Sequence, residues 1–254
     1  MRNSTVGAPE SQWAHSRGNG GMLVRVKNPD VAPVYRSVMR IASPVVKHWG
    51  RLEVVGEEHL PLDGPVLLIG NHDSYWDPVA FGTGLMGRRQ VCALAKSTLW
   101  KYRPVAWVVD RMGQIPIERN KGDAGALDSA IAELKNGACI GIFPEGTISR
   151  GAPLRARSGV GRLAQAVPET KVVLATITGS VDIVRFPKRP KIRIELFEPE
   201  QGQFKPDESA TEFANRVMED IRRRAPYALP GRKRTAEKYR SRIEAGLPPK
   251  EESH

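Results

Sequence analysis

The chain has 254 residues, enough for one sizeable core, and carries a formal net charge of +11 with only 6% aromatic residues. No run of about 18 uncharged apolar residues occurs, which argues against a membrane-spanning helix, and no fixed period repeats. The charge calls for an anionic partner, yet no aromatics are interleaved with basic clusters as a base-stacking surface needs, so nucleic acid is set aside.

Residues 1–30, rich in Gly, Ser and Asn, read as a flexible tail without the apolar core of a signal peptide, with Met22 as an alternative start. In the next segment, 31–50, Val31, Val34, Tyr35, Val38, Ile41, Ala42, Val45 and Trp49 recur at helical spacing. Arg36, Arg40 and Lys47 share another face with no acid among them, and Pro44 is expected to kink or divide the helix. Such a cationic amphipathic segment suits an interfacial membrane anchor as well as an ordinary surface helix. Strands are then expected at Leu52–Val55, Val66–Gly70, Val91–Ala95, Gln114–Ile117, Ala138–Phe143, Val172–Ile177 and Ile192–Phe197. Between and after them, helices are expected at Pro78–Met86, Thr98–Met112, Asp123–Asn136, Gly159–Val167 and Glu208–Arg224. The alternation predicts an α/β fold, a single-domain layered sandwich over 31–230 with a mixed, largely parallel central sheet flanked by helices. Residues 231–254 form a charged tail with a short exposed helix near Thr235–Ile243. Cys92 and Cys139 fall in apolar runs and read as buried, reduced thiols without zinc-ligand spacing.

Three places in this order can carry chemistry. At the end of the Val66–Gly70 strand stands Asn71-His72-Asp73-Ser74-Tyr75-Trp76-Asp77. A carboxylate that accepts the imidazole Nδ1 proton leaves Nε2 free to take another, and open α/β sheets place ligands at strand carboxyl ends. Alone, the pair fits a capped turn histidine as readily. Gly113 to Arg119 is a short strand that delivers a guanidinium suited to phosphate, with Lys121 close by. Phe143-Pro144-Glu145-Gly146-Thr147 follows a third strand, and its glycine lets backbone approach a ligand.

Together these segments resemble the glycerolipid acyltransferases, whose best-known members are the 1-acyl-glycerol-3-phosphate acyltransferases. The first family motif, N-H-x-S-x-x-D, is matched by Asn71, His72, Ser74 and Asp77. The second is similar to Gly113–Arg119, and the third, F-P-E-G-T-x-S, is matched by Phe143 to Thr147 and Ser149. The resemblance covers about residues 31–225. Two departures stand out: Ile148 replaces the usual arginine of the third motif, with Arg150 just beyond, and Leu174 replaces the usual proline of the fourth.

The resemblance implies that His72 and Asp77 are catalytic, that Arg119 holds the acceptor phosphate, and that Glu145, Gly146, Thr147 and Ser149 bind substrate. Lys96 is a further phosphate candidate, and backbone amides near Gly146 are candidates for the oxyanion donor. Neither metal nor cofactor is expected; the partners are an acyl-coenzyme A or acyl-carrier protein donor, lysophosphatidic acid or a related phosphate-bearing acceptor, and an anionic membrane surface. The expected place is the cytoplasmic face of the cell membrane, peripheral or monotopic. Glycerol-3-phosphate, another lysophospholipid or a lipid-linked acceptor fits the same chemistry. Two other classes stay open: a thioester hydrolase, and a non-catalytic basic membrane-binding protein.

Overall fold

The computed structural model of the chain describes residues 31–118, 124–185, 187 and 189–247. The N-terminal tail, Arg119, Lys121, Asp123 at the start of the expected helix, and the last seven residues lie outside them.

Seven strands form one sheet: β1 (Glu53–Val55), β2 (Val66–Gly70), β3 (Val91–Lys96), β4 (Ile115–Ile117), β5 (Cys139–Ile142), β6 (Lys171–Thr178) and β7 (Arg193–Phe197). Their spatial order is β1-β7-β6-β2-β5-β3-β4. All neighbours are parallel except β6 and β7, which gives the expected mixed, largely parallel sheet.

The central strand explains its own sequence. Leu67 and Ile69 face a core built with α4 (Ala124–Lys135), α5 (Gly159–Ala166) and α6 (Ala210–Arg224). Val66 and Leu68 face the opposite core, formed with α2 (Asp77–Leu85). A strand covered on both faces must be apolar at every position, hence the unbroken Val66-Leu67-Leu68-Ile69 run. α6 starts where Ser209 and Glu212 cap each other reciprocally (Glu212 N to Ser209 Oγ 3.2 Å, Ser209 N to Glu212 Oε2 2.9 Å), and this fixes the phase of its last turn.

The first helical segment divides where Pro44 stands. α1 runs Pro33–Ser43, and Pro44–Trp49 continues as a wider turn, because proline has no N–H for the helical ladder. α1 crosses α2 closely: a Cβ on Gly82 would strike the Met39 side chain. The helix expected over Thr98–Met112 is two pieces, a 3-10 turn at Ser97–Lys101 and α3 (Arg103–Arg111). Pro104 is admitted only in a first helical turn, so Tyr102 is extended and a new helix begins after it. The C-terminal helix α7 (Lys233–Glu244) is longer than expected and is anchored through Tyr239, which lies buried under Arg150.

Candidate active site

All strands from β2 to β6 point the same way, so their carboxyl ends share one edge of the sheet. β2 delivers His72 there, β5 delivers Glu145, and β3 ends at Lys96, while Arg119 lies outside the described residues.

Asn71 extends the sheet with its side chain. Its amide donates to Ile177 O (2.8 Å) and accepts from Ile177 N (2.8 Å), imitating a peptide group between β2 and β6. His72 follows, and its Nδ1 lies 3.0 Å from Asp77 Oδ2. The same carboxylate oxygen accepts the N–H groups of Asp73 and Ser74, each at 2.8 Å. Asp77 is fully buried in the first turn of α2, where the helix dipole favours a negative charge. A carboxylate so placed requires the Nδ1–H tautomer, which leaves the Nε2 lone pair free. Nε2 has no hydrogen-bond partner among the described residues. The ring is held flat on Phe143 (centroids 4.5 Å apart, planes at 16°), and Phe143 stacks on Phe81.

Ser74 ties the loop down: its Oγ donates to Ser180 O (3.3 Å) and accepts from Trp76 N (3.2 Å). Glu145 and Ser149 depart from the expected role in substrate binding. The Glu145 side chain is wholly buried; Oε2 accepts the backbone N–H of His72 (2.9 Å), and both its oxygens accept from Arg222. Ser149 donates its hydroxyl to Asp73 and its N–H to His72 O (2.8 Å). Neither side chain keeps surface for a ligand, so both support the His72 loop. Gly146 has φ +69°, and a Cβ there would run into Arg157. Its N–H is committed to Phe143 O (3.0 Å), which removes that amide as an oxyanion donor. Thr147 is half-buried at the same turn.

Lys96 is half-buried at the end of β3, paired in register with Ile117 and with no ion pair among the described residues. It lies two strands from β2, roughly 10 Å at ordinary strand spacing. Arg150, by contrast, is on the other side of the loop: it stacks over Tyr239 and reaches the Tyr75 hydroxyl at 3.4 Å. It does not occupy the place of the arginine missing at Ile148, a residue that is itself buried. Leu174 lies buried in β6, opposite Ile69.

Arg222, Asp73 and Phe143 went without a role in the sequence reading. Arg222 ends α6 within a run of three arginines that looks like an ordinary basic helix terminus. Arg223 and Arg224 do pair at the surface, with Glu200 and Glu195. Arg222 turns inward because it shares a helical face with Met218 and follows buried Ile221. It donates to both Asp73 oxygens (2.9 and 3.0 Å) and to Glu145. Burial pushes the Glu145 carboxyl above the usual range, opposed by Arg222 and the His72 amide. Burial also works against the guanidinium charge, but Asp73 and Glu145 hold it more firmly protonated than usual.

Among the described residues no three His, Cys, Asp or Glu side chains gather as a metal-binding group, and no helix is long and apolar enough to cross a membrane. Comparison with known proteins agrees with the layout. A family model described as acyltransferase matches residues 51–180. A 1-acyl-sn-glycerol-3-phosphate acyltransferase of Bacillus subtilis is 26% identical over 65% of this chain and 82% of its own length. One from Borreliella burgdorferi is 35% identical over 41% of this chain and 42% of its own. The crystal structure of a 1-acyl-sn-glycerophosphate acyltransferase from Thermotoga maritima shares the fold, with a TM-score of 0.56, 23% identity and 82% of each chain covered.

Proposed function

The chain belongs to the acyltransferase family, and on that premise we propose that it moves a fatty acyl group from a thioester to the free hydroxyl of a 1-acyl-glycerol-3-phosphate, giving phosphatidic acid. The observation that carries this reading is the buried His72–Asp77 pair, with Nε2 open at the carboxyl edge of the sheet. As the acceptor hydroxyl attacks the thioester carbonyl, its proton passes to Nε2 and a C–O bond forms. Collapse of the tetrahedral intermediate breaks the C–S bond, and the imidazolium returns the proton to the departing thiolate. Asp77 holds the ring and stabilises the imidazolium, as the acid of a hydrolase triad does. The thioester is already activated, so no enzyme nucleophile, metal or cofactor enters the scheme. Ser74 in particular is engaged on both sides of its hydroxyl.

The acceptor class is supported by the names of the relatives and by the cations ending β3 and following β4: Lys96 and Arg119 suit a phosphate. The donor carrier is coenzyme A or acyl-carrier protein. The acyl chains call for an apolar surface beside the site. α3 has no buried residue, and Tyr102 and Trp107 are 70% and 54% exposed. It packs beside α1, where Ile41 is 80% exposed, and both helices carry cations, among them Arg36, Arg40, Arg103 and Arg111. Exposed aromatics ringed by cations suit the headgroup region of an anionic membrane, to which the enzyme attaches peripherally at the cytoplasmic face.

The test is thiol release from acyl-coenzyme A of several chain lengths, with and without lysophosphatidic acid, with product identified by mass. Release should depend on the acceptor, yield phosphatidic acid and be unaffected by chelator. Release that the acceptor neither raises nor diverts to phosphatidic acid assigns a hydrolase instead. Vesicle binding without any release assigns a non-catalytic basic protein.

A further inference from the structure

Arg222 lies outside residues 51–180, the stretch matched by the acyltransferase family model, yet it is the cation on which the catalytic loop converges. Asp73 and Glu145 come from different strands, β2 and β5, and both act on the loop that carries His72. Glu145 accepts the His72 N–H, while Asp73 accepts from Ser149 and from Asn71 Nδ2 (2.9 Å). Two buried carboxylates this close cannot both stay charged without a cation between them. Arg222 fills that place as a planar fork, bonding both acids at once, with its guanidinium 3.9 Å from the centre of the Tyr227 ring.

We propose that Arg222 is a positioning residue for acyl transfer: by clamping Asp73 to Glu145 it holds the backbone of His72 where Nε2 meets the acceptor hydroxyl. The inference rests on the reading of His72 as the base. The charged and titratable groups around the clamp are His72 and Asp77 in the loop, Arg157 beside Gly146 in the turn after β5, Arg150 over Tyr239 on the far side of the loop, and Arg222 with Tyr227 beneath it. Arg222 bonds both acids, through two nitrogens to Asp73 and two to Glu145.

Removal of the clamp has a pH signature that a merely structural loss lacks. Without the guanidinium, the burial that raises the Glu145 carboxyl loses its main opponent, and Glu145 holds a proton at low pH. As pH rises that proton leaves, the carboxylates repel, and the His72 backbone shifts. Turnover of Arg222→Met should therefore fall at least tenfold at neutral pH, with both KM values within about threefold of wild type. Its pH–rate profile should gain a falling alkaline limb over a range in which wild type is flat. Glu145→Gln added to Arg222→Met should abolish that limb, because one of the repelling charges is gone. Arg222→Lys keeps the charge but not the fork. It should recover part of kcat without the alkaline limb, and it serves as the folded variant if Arg222→Met does not accumulate. An Arg222→Met enzyme with wild-type kcat and profile overturns the proposal; so does an Arg222→Lys enzyme no better than Arg222→Met, or a loss confined to KM. Wild-type turnover and an inactive His72→Ala, measured alongside, show separately whether the acyl-transfer reading itself holds.

Discussion

The loop at the end of β2 and the β3–β4 edge lie on the same rim of one sheet and are built on opposite principles. In the loop, Asp77 Oδ2 accepts three hydrogen bonds, Asn71 continues the sheet, and Arg222 closes the network from the far helix. At the other edge Lys96 has no ion pair among the described residues, α3 buries none of its residues, and Trp107 is exposed. Proton transfer demands groups held to a fraction of an ångström, so that region is densely bonded by the protein itself, although Asp77 Oδ1 lies buried without a hydrogen-bond partner among the described residues. On the proposed function, recognition of a phosphate and of acyl chains demands unsatisfied surface, and this edge offers it.

The contrast can be broken most sharply at the base. His72→Ala and Asp77→Asn should each lower kcat by about 10²–10⁴-fold, with little change in melting temperature for Asp77→Asn beyond a few degrees. Near-wild-type turnover by His72→Ala would end the general-base assignment. At the open edge the effect should be smaller and of another kind. Lys96→Ala should raise the acceptor KM by roughly tenfold, the worth of one charge-assisted hydrogen bond of about 1.4 kcal/mol, and leave the thioester KM alone. An equal rise in both would move the phosphate elsewhere. The smallest effect should come from α3 and the exposed residue before it, the surface proposed to meet lipid. Tyr102→Ser combined with Trp107→Ser should reduce sedimentation with anionic vesicles several-fold while the folded fraction is unchanged. Undiminished vesicle binding would assign the attachment to some other surface.

Much of the fold was legible because the sheet is covered on both faces. Val66–Gly70 was located to the residue since its neighbours on either side are apolar layers, and β5 and β6 were located to within a residue or two for the same reason. The helix expected at Thr98–Met112 failed at Pro104, whose placement in a first turn restarts the chain. The contact between His72 and Asp77 was legible because they are five residues apart in one loop. The support beneath it was not. Asp73 and Arg222 are 149 positions apart, and an arginine that ends a basic helix looks solvated until its neighbours on the helical face are known to be buried. Glu145 and Ser149 were visible as motif residues, but their direction was not: both point into the loop rather than toward the substrate.

The Asn71 side chain has a consequence for how substrates reach the base. Because its amide takes the place of a peptide between β2 and β6, the first residue of the loop is stitched into the centre of the sheet. Swinging that loop aside would mean breaking both of these buried hydrogen bonds at the centre of the sheet. His72 is therefore a fixed point in turnover. On the proposed reading, lysophospholipid and thioester must both be carried to it.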